Sequence, residues 1–124
     1  MQKNLESMSQ KDDAFEYVLN QIARSAVRRL GLEAEDPRYV FLLSRMLISL
    51  CGPNEDGYIA TRMMNYLAQE GYDLPEEEVN RLVPAARKQC DRHVFALQTA
   101  FNDIESFDLS GEEAFSNISK FIEK

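Results

Sequence analysis

The sequence predicts an all-α protein, a compact single-domain bundle of about six helices around an apolar second helix. Six segments repeat their apolar residues at the 3.6-residue period of a helix. Most of them are bounded by residues that start or stop helices. No segment alternates apolar and polar residues as a half-buried strand would. The length of 124 residues suits one domain, and 44% apolar residues supply material for one core. A chain of this size buries roughly two-thirds of its unfolded surface.

Residues 1–10 are polar apart from Leu5 and two methionines, and are expected to form a frayed N-terminal segment ahead of a domain at 11–124. The first helix is expected over about Lys11–Leu30, with Phe15, Val18, Leu19, Ile22, Ala23, Ala26, Val27 and Leu30 on one stripe. Gly31 supplies its stop, and Leu32 can close a Schellman contact. Asp36-Pro37 is an N-cap followed by proline at the first helical position, and so opens the second helix. That helix is apolar nearly all round from Tyr39 to Leu50, which predicts burial at the centre of the domain or at an interface. Gly52-Pro53 ends it.

A third helix is expected from about Tyr58 to Glu70, with Ile59, Met63, Tyr66 and Leu67 inward and Gly71 as its stop. Leu74-Pro75 opens a fourth, whose first turn holds Glu76, Glu77 and Glu78, where the helix dipole favours negative charge. Pro84 is expected to end or kink it. A fifth helix is expected over Ala85–Ser106 on the stripe Cys90, Val94, Leu97, Phe101 and Ile104. Ser110-Gly111-Glu112-Glu113 matches a capping box and opens a sixth, with Phe115, Ile118, Phe121 and Ile122 inward.

Chemistry-bearing constellations are weak. Gly57 and Ile59 sit where an EF-hand loop has its turn glycine and apolar anchor, but this alignment puts Gly52 and Met63 at the first and twelfth positions, where oxygen ligands belong. Cys90 and His93 share a helix face, yet zinc wants four ligands, and a nucleophile pair wants an orienting group and an oxyanion hole. Both residues therefore read as core. The expectation is no metal, no cofactor, no small-molecule substrate and no enzyme activity.

The net charge of −7 disfavours contact with nucleic acid or anionic lipid, and leaves a basic protein partner open. No signal-peptide pattern and no apolar run of ~18 residues is evident, so the expected location is the cytoplasm, with both thiols reduced.

Met63, Met64 and Tyr66, the second helix and the Phe-rich end carry more apolar area than the bundle obviously needs. The expected function is therefore a non-enzymatic interaction module, an adaptor, inhibitor or assembly subunit that covers a partner protein or a second copy of itself. Its candidate contacts are Met63, Met64, Tyr66 and Phe121. By association alone, small acidic helical proteins of this kind often come from phages or mobile elements. The alternative is a regulatory helix-turn-helix DNA-binding protein reading through Arg81, Arg87, Lys88 and Arg92. Its candidate recognition helix would set three glutamates against phosphate.

Overall fold

The computed structural model describes the backbone over residues 2–122 and the side chains over residues 10–122. Among the described residues six helices follow one another: α1 (Gln2–Arg29), α2 (Pro37–Leu50), α3 (Asp56–Glu70), α4 (Glu76–Gln89), α5 (Asp91–Phe107) and α6 (Gly111–Ile122). Among the described residues there is no strand. None of these helices is long and apolar enough to cross a membrane.

The ends follow from local chemistry. Asp36 accepts a hydrogen bond from the Arg38 backbone N–H at 3.0 Å and holds the Arg38 guanidinium at 2.8 Å, which fixes the start of α2. Gly31 takes the left-handed conformation at φ 74°. The Leu32 N–H then reaches the Val27 carbonyl and the Gly31 N–H the Arg28 carbonyl, which is the Schellman pattern. Gly71 closes α3 in the same way. Before α6, the Ser110 N–H donates to Glu113, and the Glu113 N–H donates to Ser110 Oγ, giving the reciprocal capping box.

Two boundaries differ from the sequence expectation. Helix α1 begins at Gln2 and not near Lys11. Met1 and the side chains of residues 2–9 lie outside the described residues, and the expected fraying of 1–10 falls largely there. The break between α4 and α5 lies at Cys90, not at Pro84, which sits inside α4. Proline deletes the bond to the carbonyl four residues back, here at Asn80, and both residues face solvent. Water can satisfy that carbonyl, so the helix continues. Cys90 (φ −115°, ψ 27°) is fully buried and makes the corner alone.

Helix α2 packs against α1, α3, α4 and α5, which makes it central. Leu42, Leu43, Met46 and Leu47 are fully buried along it. The stripe of α1 is buried from Val18 to Val27 and packs on α2, α5 and α6. On α5 the buried set is His93, Ala96, Leu97, Ala100 and Ile104, with Val94 and Phe101 only half-buried.

Helix α6 docks closely. A Cβ built on Gly111 would lie 2.9 Å from Tyr17 Cβ and 3.0 Å from the Ala14 carbonyl oxygen, neither of which can swing away. Gly111→Ala is therefore expected to part α6 from α1 and cost about 1–3 kcal/mol, the usual penalty of overpacking. Gly57, with nothing within 4 Å, is the control. Gly57→Ala should be neutral or stabilise α3. Urea unfolding of both variants checks the contrast.

Candidate functional site

The outer edge of α2 and the adjoining face of α3 form a shallow groove of about 340 Å³. Phe41, Arg45 and Ile48 reach it from α2, and Arg62 and Tyr66 from α3. It exists because α2 carries more apolar residues than four neighbouring helices cover. Phe41 stays half-buried and Ile48 is 41% exposed.

On α3, Tyr58, Arg62 and Tyr66 recur every four residues and so stand in one row on the helix surface. The Arg62 guanidinium donates to Tyr58 Oη at 2.8 Å and to Tyr66 Oη at 2.6 Å. Its carbon also lies 5.5 Å from each ring centroid. The hydroxyls of Tyr66 and then Tyr58 hold Arg62 above the already high guanidinium pKa. Arg45 stacks over the Phe41 ring at 5.2 Å. Among the described residues neither Arg45 nor Arg62 has a carboxylate partner.

A second apolar patch lies where the start of α5 meets the end of α6. Phe95 is 57% exposed and Phe121 41% exposed, and their rings meet edge to face at 6.1 Å. Phe121, expected to point inward, thus faces outward, because Ala114 and Ile118 take the buried stripe of α6.

The four expected partner contacts are dispersed. Tyr66 lies in the groove and Phe121 in the second patch. Met64 is half-buried against the core. Met63 is fully buried between Ile59 and Leu67 on the inner stripe of α3, where it fills the core. Sequence reasoning missed Tyr58, Arg62, Arg45, Phe41, Ile48 and Phe95. The four-residue spacing of Tyr58, Arg62 and Tyr66 was the signal available for Tyr58 and Arg62.

The alternative cationic set is partly occupied. Arg81 pairs with Glu78 one turn earlier. Arg87 pairs with Asp56 at 2.8 Å and donates to the Asn54 carbonyl at 2.6 Å, tying α4 to the loop before α3. Lys88 and Arg92 are exposed. The loop that resembled an EF-hand is a short connection: Asn54 Nδ2 donates to the Ser49 carbonyl at 2.8 Å, and Asp56, one of its carboxylates, is held by Arg87.

Compared with protein families, with curated proteins and with solved structures, the chain finds no match. Function must be argued from the residues themselves.

Cys90 and His93 lie beneath the surface. Burial pushes the Cys90 thiol up to about 11, away from the reactive thiolate. Burial, and then the nearby positive charge of Arg29, push His93 down to about 4, so it is neutral at pH 7. His93 Nε2 lies 3.0 Å from Ser25 Oγ on α1, while Nδ1 is buried without a hydrogen-bond partner. Proton placement follows: an Nε2–H donating to Ser25 leaves only a lone pair to bury at Nδ1, less costly than an orphaned N–H. The pair joins α1 to α5.

Proposed function

We propose that this protein is a non-enzymatic interaction module that covers a surface of a partner protein with its α2–α3 face. The observation that carries this reading is the row Tyr58–Arg62–Tyr66 beside Ile48 and Arg45. Tyrosine and arginine dominate binding hot spots because each combines a large contact area with a polar tip. Here the polar tips hydrogen-bond to one another, so docking freezes few rotamers and loses little entropy. The groove suits a partner that offers an apolar side chain to Phe41 and Ile48 and a carboxylate to Arg45 or Arg62.

In this reading Cys90 and His93 serve the core and not catalysis, since both are buried out of reach of a substrate. Two unbridged cysteines suit a reducing compartment such as the cytoplasm.

The test is affinity capture from the native host with the whole protein as bait, run beside Arg62→Glu and Ile48→Glu. Both positions are exposed, so both variants should keep the wild-type melting temperature and helical signal. One protein should bind the wild type in stoichiometric amount and be lost from both variants. Capture that is indifferent to the two substitutions would sink the reading. So would salt-sensitive retention on DNA that Arg87→Glu and Arg92→Glu abolish.

A further inference from the structure

The first turn of α5, Asp91 to Val94, is held down by one side chain. Cys90 stands at its N-cap, where a thiol replaces the Ser, Thr, Asp or Asn that accepts from a helix start, and no side chain caps the turn. One backbone bond, from the Val94 N–H to the Cys90 carbonyl at 3.0 Å, closes it onto the non-helical corner. Asp91 and Arg92 are exposed and Val94 is half-buried, so His93 is the one fully buried side chain of the turn. Its Nε2, 3.0 Å from Ser25 Oγ, pins the turn to α1. That pin needs a neutral ring. A protonated imidazole donates from both nitrogens, and Nδ1 is buried with no acceptor in reach.

The charges around the ring do not rescue the closed form. Arg29 of α1 repels a proton there, and Asp91, the one carboxylate that acts on it, is itself exposed. The Cys90 thiol beside it is uncharged. Lys88 of α4, Arg92 of α5 and Lys120 of α6 stand exposed at this end, and the two arginines of α2 are engaged with Asp36 and Phe41. We propose that the turn is an acid-released clasp: protonation of His93 breaks its hold on α1, the turn swings out about Cys90, and the buried thiol meets water. Outside, the imidazolium gains water and the neighbouring Asp91 carboxylate, while the buried residues from Ala96 to Ile104 keep α5 in place. Release grows between about pH 6.5, where a solvated imidazole takes up its proton, and about pH 4, where the closed form does. The clasp joins α5 to α1, away from the α2–α3 face, and does not depend on the function proposed above.

Cys90 is its own probe. In the whole protein carrying Cys51→Ser, the rate at which Cys90 reacts with dithiodipyridine is measured and divided by that of a free small thiol at the same pH. The ratio follows the population of the open form. It should rise about thirty-fold from pH 7.5 to pH 5, as the difference in proton affinity between open and closed forms requires. In His93→Gln, which keeps an N–H for Ser25 and cannot be charged, it should stay level. At pH 5 the rate should be indifferent to urea below the unfolding transition, since opening one turn exposes little surface. If His93→Gln fails to fold, the pH dependence and the urea response of the parent protein decide the matter. A ratio that ignores pH, an equal rise in His93→Gln, or a rate that climbs with urea as global unfolding does would each overturn the proposal.

Discussion

Met63→Ala is expected to lower the free energy of unfolding by about 2–5 kcal/mol, the cost of a cavity left by a large buried side chain. Set against a typical total of about 5–15 kcal/mol, that is enough to endanger the fold. The reason is position: Met63 is fully buried and stands one turn from Ile59 and one from Leu67, both in the same core. Met64→Ala, one residue on and half-buried, should cost clearly less. Urea unfolding at neutral pH separates the two. Equal losses would mean that α3 is rotated from the orientation described, which would also displace the Tyr58–Arg62–Tyr66 row.

The second large effect is a dependence on acid. In the unfolded chain His93 takes up a proton near pH 6.5, whereas in the folded protein burial delays this to about pH 4. Between those values the unfolded state binds more protons, so stability falls as the pH is lowered. His93 thus makes no pH-dependent difference above about pH 6.5, and its penalty saturates below about pH 4, where it reaches about 3 kcal/mol. His93→Gln keeps an N–H for Ser25 and removes the titration. The variant should start from its own baseline at pH 7 and lose less stability than the wild type on moving to pH 4.5. Parallel losses in both proteins would show that the imidazole is already solvated in the folded state.

Most of the fold was legible wherever a helix end is decided locally. Asp36-Pro37, Gly31, Gly71 and the Ser110–Glu113 box act through hydrogen bonds within a few residues, and each does what its residue type dictates. The misses share a different cause. Cys90 lies on an apolar stripe that reads as continuous helix, and the corner there belongs to how α4 and α5 pack. At Pro84 an end or a kink is the expectation because sequence does not tell which carbonyl faces water. The N-terminal extension of α1 has only Leu5 and Met8 at helical spacing between residues 2 and 10, too few to define an apolar stripe.

The candidate surface was legible only in part, for a related reason. Apolar surplus is visible in composition, but its location depends on helix rotation. Tyr66 and Phe121 were singled out and do line exposed patches. Met63 was singled out with them and is core, since Ile59, Met63 and Leu67 share one side of α3. For Arg62 the sequence offers the spacing of a row but not the contact itself. It follows from two tyrosines one turn either side, and becomes a structural fact only when both hydroxyls meet the guanidinium.

The proposed interaction through the α2–α3 face is tested most directly by one affinity. Once a protein captured by the wild type is in hand, its binding to Arg62→Ala should be measured by titration calorimetry, with the melting temperature of the variant recorded alongside. The account predicts a loss of ~2 kcal/mol or more, about thirty-fold in Kd, with the melting temperature unchanged. An unchanged Kd would contradict it.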